Sequence, residues 1–224
     1  MATKALALHQ TTVGKKAIMA VTGFIMVGFV IAHMLGNMQV YSANPAAALK
    51  AYALLLRSFG GGLWVARLVL LGAVVLHAWA AISLVKQNAA ARASRYHVKH
   101  DAVTSYAAKT MKYGGFVLLF FILYHLAHLT LHIPVGAPAV ADEFAVFERM
   151  KAGFEVPWIS ALYILGNIAL AMHLYHGVWS MLQSVGLNHR KYNALRKQAA
   201  VAVALVVGVG NISIPVAFMA GIVG

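Results

Sequence analysis

Residues 17–40 read AIMAVTGFIMVGFVIAHMLGNMQV, an apolar run without one Asp, Glu, Lys or Arg. As an α-helix such a run is ~36 Å long, enough for a hydrocarbon core of ~30 Å. It is too long for a signal-peptide core, and no small-residue cleavage site followed by a soluble domain comes after it. Four further runs at 63–85, 113–131, 158–182 and 199–223 are similarly apolar, with Arg67 their one Lys or Arg, and none of the five contains an acid. The expected fold is all-α: one integral membrane bundle of five transmembrane helices over residues 1–224, with no linker marking a second domain.

The rest of the composition agrees. Of 224 residues 62% are hydrophobic and 10% charged, with mean hydropathy +0.77; soluble domains carry about 25% charged residues. The net charge is +13. In a soluble chain that would suggest nucleic acid, but here the cations are thinly spread between apolar runs, so no nucleic-acid partner is expected. There is no cysteine. Disulfides, thiol catalysis and iron–sulfur clusters held by this chain are excluded.

The connections set the topology. Lys4, Lys15, Lys16, Lys86, Arg92, Arg95, Lys99, Lys109, Lys112, Arg190, Lys191, Arg196 and Lys197 fall on one side, and Lys50, Arg57, Arg67, Arg149 and Lys151 on the other. The positive-inside rule places the first set, and the N-terminus, in the cytoplasm and the C-terminus outside. Trp64 and Trp158 begin spans at the outer interface. The outer loop between spans three and four carries Asp142, Glu143, Glu148 and Glu155, and its stretch 142–152 is expected to form a short surface helix.

The conspicuous chemistry is histidine. His33, His77, His125 and His173 lie one in each of the first four spans, and the fifth span has none. An imidazole in hydrocarbon is costly without a partner. One alone could be an interhelical hydrogen-bonding group; four on successive helices need a joint explanation. Counted from the outer anchors, His33 and His125 lie ~12–14 Å deep and His77 and His173 ~20–23 Å deep. Two pairs at two depths suit two bis-histidine b haems stacked across a bundle. Gly23 and Gly115 each precede a histidine by ten residues, with Phe24 and Phe116 following, and would give a macrocycle backbone clearance.

His128, His132 and His176 sit near the same helices, so the residues alone leave open which imidazole binds iron. They also raise a rival, a divalent-ion transporter, but that needs acidic co-ligands absent from the spans. The two histidines about 14 residues apart on one helix, typical of cytochrome bc quinol oxidoreductases, do not occur here. His9, His97, His100 and His189 fall in basic cytoplasmic segments and are expected to be solvated.

The chain resembles the cytochrome b subunit of succinate dehydrogenase/fumarate reductase, in its single-subunit, five-helix, dihaem form. The resemblance runs through Val13-Gly14-Lys15-Lys16, Thr22-Gly23, Ala32-His33-Met34-Leu35-Gly36-Asn37, Leu76-His77-Ala78, Tyr124-His125 and His173-Leu174-Tyr175-His176-Gly177-Val178-Trp179-Ser180. It implies that His33 and His125 are axial ligands of an outer, distal haem b, and His77 and His173 those of an inner, proximal haem b. It implies a flavoprotein and an iron–sulfur subunit on the cytoplasmic face, a bacterial cytoplasmic membrane, and electron transfer to or from a membrane quinone, menaquinone being usual in relatives of this architecture. The dicarboxylate chemistry would belong to a partner subunit, so this chain has no catalytic residue of its own. A cytochrome b subunit serving a hydrogenase or formate dehydrogenase is the nearest alternative.

Ser83, Ser180, Thr22, Asn37 and Tyr124 are candidate polar partners of the imidazoles. Lys15, Lys16, Lys112 and Tyr113 could meet the proximal propionates, and Arg57, Arg67 and Tyr41 the distal ones. The expected quinone site is Gln39, Tyr41, Arg57 and Ser58 at the outer ends of spans one and two, with a site beside the inner pair as alternative. Some family members carry carboxylates in or near the spans; here any proton exchange must use water, histidine, tyrosine or lysine.

Overall fold

A computed structural model describes residues 7–91 and 106–223. Lys4, Arg92, Arg95, His97, Lys99, His100 and Asp101 lie outside the described residues. Seven α-helices are described: α1 Thr12–Asn37, α2 Pro45–Ser58, α3 Gly61–Ala90, α4 Tyr106–His125, α5 Val146–Phe154, α6 Pro157–Ser184 and α7 Asn193–Met219. There is no strand among the described residues. Five helical segments are long and apolar enough to span a bilayer: Thr12–Tyr41, Gly61–Ala90, Thr110–Thr130, Pro157–Ser184 and Arg190–Met219.

The ends explain the differences from the expected spans. α1 starts five residues before position 17, because Thr11 caps it by accepting the Gly14 N–H at 3.0 Å. The cationic Lys15 and Lys16 are therefore inside the helix. At the other end a 3₁₀ turn, Met38–Tyr41, prolongs it. The last helix begins at Asn193 and ends at Met219 rather than running from 199 to 223. Gly221, at φ 65°, then turns the chain, and the Ile222 N–H bonds the Ala217 carbonyl at 2.9 Å.

Two short helices cap one end of the bundle, the end that the charge pattern of the sequence leads one to expect outside and that is called outer below. Asn44 accepts the Ala47 N–H at 3.2 Å ahead of Pro45, which starts α2. Gly60, at φ 51°, reverses the chain from α2 into α3. α5 overlaps the stretch 142–152 read as a surface helix but runs from Val146 to Phe154, and it is packed against α2, α6 and α7 and buries Arg149, Met150, Gly153 and Phe154. Lys50–Asp142 at 3.6 Å and Arg57–Glu143 at 2.7 Å link α2 to the segment before α5. These pairs are exposed, so they orient the cap more than they stabilise it.

The largest buried cluster lies under this cap, around Val40, Leu49, Phe154, Ile159, Tyr163 and Phe218. Below it α6 packs on α7, α4 and α1, and α1 packs on α3. α1 and α4 do not pack closely on each other, nor do α3 and α6. These two pairs face each other across the interior of the four-helix unit. Trp64, Leu68, Leu71 and Val75 of α3 stay exposed, as a helix facing lipid requires.

Candidate functional site

The four intramembrane histidines meet across those two unpacked diagonals. The His33 and His125 ring centroids are 5.7 Å apart, with planes at 88°. The His77 and His173 centroids are 6.2 Å apart, at 56°. All four are only partly buried although they point into the bundle. Of the alternatives left open by the sequence, His128 is engaged by another residue. His128 bonds the Tyr163 hydroxyl through Nδ1 at 3.1 Å, and His176 Nδ1 is buried without a partner.

These residues fit a haem. Two imidazoles gripping one metal from opposite sides, each through a bond of about 2.0 Å, place their ring centroids about 6 Å apart. Both observed separations match, and both pairs lie where the helices leave room between them. Among the described residues no group of three or more His, Cys, Asp or Glu converges to hold a bare metal ion.

The surroundings differ between the pairs. Thr22 donates its hydroxyl to the Ile18 carbonyl at 2.7 Å, so its oxygen is left to accept from His77 Nδ1, 3.1 Å away. That favours the tautomer with the proton on Nδ1 and leaves Nε2 free to take a metal. Gly23 sits beside this same imidazole: a Cβ there would lie 3.6 Å from His77 Cε1. The ten-residue spacing that tied Gly23 to His33 thus ties it to the other pair in space. Gly115 faces open space. Lys15 is buried near this end, its Nζ 5.9 Å from the Trp79 ring centroid.

At the outer pair, Asn37 Nδ2 lies 3.1 Å from His33 Nε2, one helical turn away. In this arrangement the free nitrogen of His33 is Nδ1, and ligation through Nε2 requires the Asn37 amide to release it. Phe29 stacks on His33 at 5.4 Å, and Phe121 and Tyr163 lie 6.1 and 5.8 Å from His125. Tyr124 donates to the Val135 carbonyl at 3.1 Å and not to an imidazole.

A model of the succinate dehydrogenase/fumarate reductase transmembrane subunit family matches residues 83–211, more than half of the chain. The chain belongs to this family. The matched region holds His125 and His173, one member of each pair, and extends into α7. As a member of the family, the chain is a multi-pass membrane subunit of an enzyme complex that includes other, soluble subunits. The comparisons with curated proteins and with solved structures return no match.

The expected quinone residues are not gathered into one pocket. Gln39 bonds the Gly36 carbonyl at 3.1 Å, Tyr41 donates to Ser213 at 2.9 Å, and Ser58 donates to the Leu55 carbonyl at 2.7 Å. Arg57 pairs with Glu143 and lies 4.4 Å over the Phe144 ring. Next to Arg57 and Ser58, however, Leu56, Phe59, Gly62, Leu63 and Ala66 line an apolar groove of about 250 Å³ at the α2–α3 elbow. Of the candidate propionate partners, Lys112 lies over Tyr113 and Arg67 over Trp64, both at the rim.

Sequence reasoning missed Tyr163 altogether, and it named His128 and Arg149 without foreseeing their burial. His128 is brought inward by a π-helical turn, Leu126–Thr130, directly after His125. Such turns favour functional sites, but nothing in an apolar stretch announces one. Arg149 is 6% exposed and donates to the Asp142 carbonyl at 2.8 Å. Burial holds its guanidinium below the usual arginine range, against Asp142, Glu143 and Glu148.

Proposed function

We propose that this chain is the dihaem cytochrome b anchor of a succinate:quinone oxidoreductase. The observation that carries the reading is the meeting of His33 with His125 and of His77 with His173 across helices that otherwise leave space between them. Bound between these pairs, two b haems would supply one-electron carriers in line across the membrane. The protein's part is to hold and tune them. Thr22 orients His77, Phe29 and Phe121 flank the outer imidazoles, and Lys15 offers a buried cation to the inner propionates.

The basic side faces the cytoplasm, where a flavoprotein and an iron–sulfur subunit dock. With no cysteine in this chain, any iron–sulfur cluster belongs to that partner. A membrane quinone, menaquinone by the family's usual pattern, enters at the outer end. The apolar groove beside Arg57 and Ser58 supports that location, and Gln39 and Tyr41 complete the polar set once they release their present bonds. The setting is the bacterial cytoplasmic membrane.

Reduced-minus-oxidised spectra of the purified complex, with haem quantified per chain, test the reading. Two b haems are expected, with a flavoprotein and an iron–sulfur protein co-purifying. Fewer than two haems overturns the dihaem assignment. A hydrogenase or formate dehydrogenase as partner overturns the succinate assignment.

A further inference from the structure

His77 has its second ring nitrogen, Nδ1, at 3.1 Å from the Thr22 hydroxyl, whereas Asn37 occupies Nε2 of His33 and His173 Nδ1 is buried without a partner. His125 has no hydrogen bond among the described residues. A ligating imidazole is ordinarily oriented by a bond to its second nitrogen. His125 must be oriented by packing instead, and two rings form its walls: Phe121 from its own helix and Tyr163 from α6.

Tyr163 is built as a fixed strut. It is 4% exposed. Its ring meets the His125 ring at 5.8 Å and 62°, and Phe154 closes on it at 4.8 Å. Its hydroxyl is held by His128 Nδ1 at 3.1 Å. His128 is itself immobilised, 3% exposed, at the π turn. α5 presses on it so closely that a Cβ on Gly153 would fall 2.4 Å from His128 Cε1. Its Nε2 is buried without a partner. An incompletely satisfied polar pair is an expensive way to fill a core, where a Phe–Leu pair would cost less. What the pair adds over an apolar one is a fixed position of the hydroxyl end of the tyrosine ring.

We infer that Tyr163, anchored by His128, is a positioning residue that sets the imidazole orientation of His125. The inference rests on the dihaem reading, with His125 as an outer ligand. Ring rotation of an axial imidazole reads out directly in the largest g-value of the low-spin ferric centre, a property that loss of general stability does not move.

The test uses the whole purified complex with Tyr163→Phe, Tyr163→Leu, His128→Leu and the Tyr163→Phe/His128→Leu double variant. The outer signal is assigned as the one missing in His33→Ala. Two haems per chain, an outer g-value moved in each variant, an inner g-value unmoved, and a double variant shifted no further than either of its singles are expected. Tyr163→Phe keeps the ring and should fold even if the leucine variants do not. An outer g-value unchanged in both Tyr163 variants overturns the positioning role. Shifts that add in the double variant overturn the anchoring by His128. Fewer than two haems in the wild-type complex is the failure of the dihaem reading itself, and is seen before any variant is compared.

Discussion

The hydroxyl of Thr22 and the Nδ1 of His77, 55 residues apart in sequence, lie 3.1 Å apart between α1 and α3. Because the hydroxyl proton goes to the Ile18 carbonyl, the imidazole donates and the threonine accepts. A donated Nδ1 proton raises the basicity of the opposite nitrogen and favours the oxidised metal.

Thr22→Val is therefore expected to raise the midpoint potential of the inner haem and leave the outer one in place. If the bond differs between redox states by ~1 kcal/mol, the shift is about 40 mV for one electron. Thr22→Ser, which keeps the hydroxyl, should restore the wild-type value. Redox potentiometry of the complex checks both. An inner potential equal in wild type and Thr22→Val would show that the hydroxyl has no part in tuning.

The pairing itself predicts selective loss. His33→Ala or His125→Ala should remove the outer haem and spare the inner one, because each pair is built on its own two helices. His77→Ala or His173→Ala should do the reverse. Quantified spectra of each variant decide it, and loss of both haem signals in a still-assembled complex would argue against separate sites.

How far all this was readable in sequence varies with the physics. The five spans follow from hydropathy alone, since no long acid-free apolar run has another stable fate in lipid. The histidine pairing followed from depth, because a helix converts residue number into height. The outer cap was harder. α2 does announce itself through Asn44 and Pro45, yet that signal concerns a helix start and not its packing. The ring contacts of Tyr163 depend on side-chain direction in the third dimension. The π turn that aims His128 is one extra residue per turn within Leu-Ala-His-Leu-Thr, a string equally compatible with α-helix. The quinone residues were chosen by height, and height does not reveal that Tyr41 and Arg57 already hold Ser213 and Glu143.

Gly153 gives a direct test of the cap. A methyl group there would meet His128 Cε1 at 2.4 Å and Nε2 at 2.6 Å, and neither α5 nor the buried ring has room to give. Gly153→Ala is expected to destabilise the outer end by ~1–3 kcal/mol. Gly72→Ala, where the added Cβ meets nothing within 4 Å, is the control. A lowered thermal midpoint for the first and none for the second is the expected pattern. Equal midpoints would mean that α5 does not sit against the π turn as described.

Acid should loosen the same cap through His132. This residue lies just beyond the third span, with φ 57°, in a small cleft shared with His128, Pro134 and Arg149. Burial lowers its pKa below the ordinary 6.5; Arg149 and Arg57 lower it further, and Glu143 opposes them. The folded state thus prefers the neutral ring, and the unfolded chain takes up the proton first. The contribution to stability is complete above the ordinary value and is lost as pH falls from 6.5 toward the lower folded pKa. His132→Asn removes the titrating group, and asparagine accepts the left-handed backbone well. Thermal midpoints of the complex at pH 7.5 and 5.5 should fall more steeply in wild type than in His132→Asn. Parallel losses in the two proteins would assign the acid sensitivity to other groups.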